Sequence, residues 1–295
     1  MENKLIGTGV ALITPFEADL SVDYDALTKI VNHCIAGGID YLVVLGTTGE
    51  SVVLSKQEKN EIVRHVVKIN NGKLPVVLGL GGNCTATVIN EYESFNLDGV
   101  EAILSVSPFY NKPSQRGIYS HYQLLSKSFN HPIILYNVPG RTSSNISAET
   151  TLKLAHDFDN IVAVKEASGD MDQIMTIIKD KPDDFLVISG DDGLTLPMIL
   201  MGANGVISVI GQAFPNQYSL MVREGLKGNV HESNHLHYLL YPIYNSLYRD
   251  GNPAGIKECM SHLGLCTNKL RLPLVNVEDK TKKELIEFSE LLKTS

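Results

Sequence analysis

Ile161-Val162-Ala163-Val164-Lys165-Glu166-Ala167-Ser168-Gly169-Asp170 is the stretch on which the fold turns. A short apolar, β-branched run ends at a lysine, and small residues follow. A strand buried on both faces reads this way, with no polar alternation, when it belongs to a parallel sheet. It delivers one amine to the rim of that sheet. A charge there is costly unless it is paired or neutral. A lysine of ordinary pKa, about 10.4, is neutral only about once in a few thousand molecules at pH 7. Burial lowers that pKa and makes the amine a nucleophile toward carbonyls. A structural lysine paired with Glu166 is the alternative, and this strand alone does not separate the two.

Working outward, strand-like and helix-like segments alternate. Strands are predicted over 9–14, 41–45, 75–80, 102–106, 133–136, 161–165, 185–189 and 206–209. Helical spacing falls between them, over 23–35, 55–69, 85–97, 118–128, 147–156, through 178, 194–201 and 215–226. Ser55 and Glu58 form a capping-box pattern, and Gly37-Gly38 ends the first helix. Eight βα units in about 228 residues match the size of an α/β (β/α)₈ (TIM) barrel. A doubly wound open sheet is the alternative, but it would normally carry a Gly-rich turn after the first strand, where Thr14-Pro15-Phe16 stands. After Gly228 only helices are predicted, over 231–248, 256–263 and 279–292. The expected organisation is a barrel over 1–228 and a C-terminal helical extension over 229–295.

Composition narrows the function classes. The 295 residues are 43% hydrophobic and 20% charged, with a formal net charge of -8. No Lys/Arg run stands out, which argues against a nucleic-acid partner. Met1-Glu2-Asn3-Lys4 leads into a strand-like run with no apolar signal core, and no span has membrane-helix length. Cys34, Cys84, Cys259 and Cys266 form no C-x-x-C pair. Free thiols in a reducing cytoplasm are the expectation.

In such barrels function gathers at the C-terminal ends of the strands. There lie Gly46-Thr47-Thr48-Gly49-Glu50-Ser51, Ser107-Pro108-Phe109-Tyr110-Asn111, Tyr136-Asn137-Val138-Pro139-Gly140-Arg141-Thr142, Lys165, Gly190-Asp191-Asp192 and Ile207-Ser208. The first offers hydroxyls and backbone N–H groups that suit a small carboxylate, or is only a turn with a helix cap. Tyr136, one strand from Lys165, is a proton shuttle or a barrel-top aromatic. Arg141 carries a fork that fits a carboxylate, or makes a surface ion pair. Asp191 and Asp192 occupy the usual phosphate position and would repel phosphate. They attract an ammonium or cap the next helix. His231, Glu232, His235 and His237 cluster on the first tail helix. Its apolar face through Leu236, Leu239, Leu240, Ile243 and Leu247 leaves the histidines solvated, so no metal is expected.

The Gly46–Ser51, Tyr136–Thr142 and Lys165–Asp170 motifs together resemble the dihydrodipicolinate synthase family of pyruvate-dependent class I aldolases. The likeness runs from Gly7 to the final helix, and the Arg141 segment sets it apart from sialic-acid lyases. The resemblance implies that Lys165 forms an imine with pyruvate, whose carboxylate rests on Thr47 and Thr48. The enamine then attacks L-aspartate 4-semialdehyde, held by Arg141, and ring closure frees Lys165. It also implies a proton relay of Tyr136, Thr47 and Tyr110, with Tyr110 supplied by a neighbouring subunit. Gly190 and Ile207 match positions whose backbone carbonyls face the pyruvyl group. No metal or organic cofactor is implied. A cytoplasmic tetramer of two tight dimers is, acting at the first committed step of diaminopimelate and lysine biosynthesis.

One departure stands out. Members inhibited by L-lysine use a histidine, a glutamate and a tyrosine where Lys56, Thr87 and Phe109 match here, while Ser51 and Asn83 are retained. A cationic ligand would face Lys56 and lose a carboxylate at Thr87, which predicts weak or absent inhibition. Two other functions remain open from the sequence: a sister lyase acting on a sugar-derived 2-keto acid, and a non-catalytic keto-acid sensor. The intact set Thr47, Tyr110, Tyr136, Arg141 and Lys165 argues against the sensor.

Overall fold

The computed structural model describes residues 4–293, so the start of the N-terminal reading, at residues 1–3, lies outside the described residues. Eight parallel strands close on themselves: β1 (Gly7–Ala11), β2 (Tyr41–Val44), β3 (Val76–Gly79), β4 (Ala102–Val106), β5 (Ile133–Asn137), β6 (Ile161–Glu166), β7 (Leu186–Ser189) and β8 (Gly205–Ser208). Each strand pairs with the next, and β8 pairs with β1 through Gly7↔Gly205 and Gly9↔Ile207. This is the (β/α)₈ barrel expected, and the open-sheet alternative is gone. Helices cover the outside: α1 (Tyr24–Ala36), α2 (Lys56–Asn70), α3 (Thr85–Glu93), α4 (Gln115–Ser128), α5 (Pro139–Thr142), α6 (Ala148–Asp157), α7 (Met171–Asp180), α8 (Thr195–Leu200) and α9 (Pro215–Leu226). Three more follow, α10 (Val230–Arg249), α11 (Ala254–His262) and α12 (Asp279–Lys293).

The apolar residues sort into two cores. Alternate strand residues such as Val164 and Val187 face the helices and join one large cluster with Ile174, Ile177 and Met198. The others, such as Ala163, Ile188 and Leu104, fill the barrel interior. Each aliphatic side chain withdrawn from water in this way contributes roughly 1.5–3 kcal/mol. Interior space is tight near β1. A Cβ on Gly9 would sit 2.1 Å from the Tyr41 ring, so the missing side chain makes room for that phenol. The buried Tyr41 hydroxyl donates to the Val206 carbonyl at 2.9 Å.

Local signals in the sequence set most helix starts. Ser55 and Glu58 form the reciprocal capping box at α2. Asp23, Ser114, Ser147 and Asp170 each accept a first-turn N–H at their helices, a contact typically worth about 1 kcal/mol. Several boundaries differ from expectation, α4 starting at Gln115 rather than 118 among them. The first strand is Gly7–Ala11 rather than 9–14. The third βα helix stops at Glu93, short of residue 97, because the Ser94 hydroxyl turns back onto the Glu91 carbonyl at 2.7 Å. The segment after β5, outside the predicted strands and helices, contains the one-turn α5, with Pro139 at its first position and Ser143 left-handed after it.

One expectation on α10 is corrected. His231 and His235 are exposed, but His237 is buried beside Tyr238, Tyr241 and Tyr244. Tyr244 is buried on this face as well, whereas Tyr238 and Tyr241 are exposed and lay their rings against the imidazole, and burial lowers the His237 pKa. Among the described residues, no group of three or more His, Cys, Asp or Glu is placed to hold a metal. No described helix is long and apolar enough to cross a membrane. All four cysteines are unpaired, Cys34 and Cys259 buried and Cys84 exposed.

Candidate active site

Successive strand residues point to opposite faces. That alternation separates Lys165 from Glu166. Lys165 follows Ala163 into the barrel interior and is 5% exposed. Glu166 points outward, where its carboxylate accepts from Asn137 Nδ2, Ser168 N and Gln173 Nε2. The structural pairing of the two adjacent residues is therefore absent.

The Lys165 amine stands over the Tyr136 ring, 4.4 Å from its centroid, as expected from the Tyr136↔Lys165 register of β5 and β6. Burial drives its pKa down to about 7, opposed by the Asp192 carboxylate and helped by the Arg141 guanidinium. Near neutral pH about half of the amines are then uncharged. Burial also raises the Tyr136 pKa, against Arg141 and the Thr47 hydroxyl, so its phenol keeps its proton at neutral pH.

Above Lys165 opens a cavity of about 510 Å³. Thr47, Thr48, Tyr136, Arg141, Lys165 and Gly190 all line it. Gly190 has a steric reason to be bare. A Cβ there would lie 2.7 Å from the Ala167 Cβ and 3.0 Å from the Lys165 Cε. The one-turn α5 carries Arg141, exposed, to the mouth. Thr47 and Thr48 begin a single 3-10 turn, Thr47–Gly49, whose N–H groups and hydroxyls stand at the C-terminal end of β2.

Two of the expected residues lie off this cavity within the single chain. Tyr110 is 88% exposed with a left-handed φ of 70°, and it does not line the cavity; its neighbour Phe109 does. Ile207 lies in the interior cluster and does not line the cavity either, whereas Val209, two residues on, does.

The two aspartates after β7 have different jobs. Asp191 Oδ1 accepts from Gly193 N and Leu194 N, holding the turn into α8. Asp192 is 2% exposed. It accepts from Ser208 Oγ, Ile210 N and Tyr248 Oη, so it ties β7 to β8 and to α10.

Tyr248 and Asn252 are cavity residues that pattern reading passed over. Tyr248 reaches in from α10, and Asn252 Nδ2 donates to Thr48 Oγ1 at 2.9 Å. Both belong to the stretch after the eighth βα unit, where no strand end points to a site. The only sequence signal was local: Asn252 stands in the break Asp250-Gly251-Asn252-Pro253 between two helices.

The comparisons agree with this geometry. The profile of the dihydrodipicolinate synthetase family matches residues 4–292. A relative from Flavobacterium psychrophilum named 4-hydroxy-tetrahydrodipicolinate synthase is 53% identical over 97% of this chain and 98% of its own. The crystal structure of dihydrodipicolinate synthase from Aquifex aeolicus superposes with a TM-score of 0.94 at 38% identity, over 98% of each chain. A dihydrodipicolinate synthase variant described as the first monomeric one superposes at 0.95 with 35% identity, again over 98% of each. On this match over nearly its whole length, the chain belongs to the dihydrodipicolinate synthetase family.

Proposed function

We propose that the chain is a Schiff-base lyase that condenses pyruvate with L-aspartate 4-semialdehyde to give 4-hydroxy-tetrahydrodipicolinate. The observation that carries the reading is a neutralisable amine, Lys165, buried under a cavity lined by the Thr47–Thr48 turn on one side and by the Arg141 guanidinium at its mouth. The neutral amine attacks the keto carbon of pyruvate. Tyr136 gives a proton to the departing hydroxyl, water leaves and an iminium remains. Thr47 and Thr48 hold the pyruvate carboxylate. Loss of a methyl proton yields the enamine, whose carbon attacks the aldehyde of the second substrate. Arg141 holds that substrate's carboxylate, and its amine closes the ring and displaces Lys165.

Gly190 and Ile207 contribute backbone carbonyls toward the pyruvyl group in this reading. Tyr110, exposed in one protomer, completes the relay from a neighbouring subunit, so a homo-oligomer, a tetramer of two tight dimers, is the working form. Residues 229–295 act as a helical extension of the barrel over 1–228, and the enzyme works in the cytoplasm.

Borohydride reduction in the presence of pyruvate, followed by peptide mass spectrometry, tests the first step: an adduct on Lys165 is expected, and its absence removes the reading. Turnover of pyruvate with the semialdehyde, set against sialic acid and 2-keto-3-deoxygluconate cleavage, tests the substrate. The synthase relatives favour the first reaction over the sugar-derived keto acids.

A further inference from the structure

The Thr47–Thr48 turn is held by a buried ion pair that reaches across the sequence. Glu50 sits between two single 3-10 turns, Thr47–Gly49 and Ser51–Val53, with a left-handed φ of 52°. A non-glycine residue rarely holds that conformation without support from its surroundings. The support comes from beyond the barrel. Glu50 is 2% exposed, and its Oε1 accepts from Lys257 Nζ at 2.5 Å. Its Oε2 accepts from Arg271 N at 3.2 Å. Lys257 is fully buried, donates also to the Lys269 carbonyl at 2.8 Å, and lies 4.1 Å over the Phe16 ring. The Arg271 side chain binds the Val53 and Leu20 carbonyls and the Glu58 carboxylate. On the barrel side, Thr14 Oγ1 donates to the Gly49 carbonyl at 2.7 Å.

A buried ion pair is weak evidence for stability, because desolvation offsets the attraction. It does give one geometry, since both groups pay heavily for any arrangement that separates them. Here the geometry it selects is that of the turn whose Thr47 and Thr48 line the cavity. We propose that Glu50 and Lys257 are positioning residues for the pyruvate carboxylate: their ion pair, supplied by α11, sets the Thr47–Thr48 nest from behind without touching substrate. The inference rests on the Schiff-base reading above.

The test is Glu50→Gln and Lys257→Met in the full chain, with the neutral double variant Glu50→Gln/Lys257→Met, which strands no charge. Borohydride trapping is followed against pyruvate concentration. Half-saturation is expected to rise about tenfold or more in each variant, with the maximal trapping rate at high pyruvate within about threefold of wild type. The semialdehyde KM, which depends on Arg141, stays within about twofold. If the single variants do not fold, the double variant carries the same expectation. Unchanged half-saturation in a folded variant overturns the proposal, as does an equal rise in both KM values, which a merely structural role produces. Failure of the wild type to trap pyruvate at Lys165 would instead remove the parent reading.

Discussion

Replacing Lys165 by methionine should make the protein more stable while abolishing imine formation. The reasoning starts from the buried amine. An ordinary lysine titrates at 10.5, and Lys165 is held down at about 7 chiefly by burial. At about 1.4 kcal/mol for each tenfold change, that gap amounts to roughly 5 kcal/mol against the charged form in the fold. The sign follows from proton binding. Between about pH 7 and 10.5 the unfolded chain keeps the proton and the folded chain has lost it, so stability rises with pH across this window. Well below pH 7 the full penalty of roughly 5 kcal/mol applies, at pH 7 roughly 4 remains, and above about 10.5 none does. Methionine keeps the packing of the apolar stem and carries no proton. Urea unfolding of wild type and Lys165→Met at pH 6, 7, 8 and 9, at equal protein concentration, reads the difference directly. The variant should be the more stable at pH 6 and 7, and the gap should narrow steadily toward alkaline pH. A difference that does not vary with pH, or a variant less stable than wild type at pH 7, would refute the idea that the fold strains this amine toward neutrality.

Other outcomes follow from the same site. Asp192→Asn removes the carboxylate that favours the charged lysine, so the acidic limb of the kcat/KM profile should move to lower pH; a shift upward contradicts the assignment. Gly190→Ala places a methyl 3.0 Å from the Lys165 Cε, and pyruvate trapping should slow by about 100-fold, a loss in line with misplacing a reacting group by about 1 Å. Lys56 and Thr87 are both exposed and leave a cationic effector without its acid, so L-lysine at millimolar concentration should leave turnover nearly unchanged. A micromolar inhibition constant would contradict that reading.

The barrel was legible because its physics is local. Strands buried on both faces must be apolar throughout, and helices between them must be amphipathic, so the βα period is written in hydrophobicity alone. Strand ends then point to Lys165, Tyr136, Arg141 and the Thr47–Thr48 turn, because a strand of known direction has only one C-terminal end. Glu166 shows the limit of neighbourhood in sequence: next to Lys165 in the chain, it faces the opposite side of the sheet and pairs with Asn137 and Gln173 instead. His237 shows another, since a residue that looks solvated by the leucine pattern is buried against the rings of Tyr238, Tyr241 and Tyr244.

The sequence by itself settled the eight βα units and, through three short motifs, the family resemblance that singles out Lys165, because each depends on residues within a strand, a helix or a short motif. Only the tertiary structure decided what lines and braces the cavity above that amine. Asn252 on Thr48, Lys257 on Glu50 and Tyr248 on Asp192 join positions separated by 204, 207 and 56 residues. No periodicity or spacing encodes such pairs, because they exist only after the barrel has closed and the helices beyond it have packed against its open end.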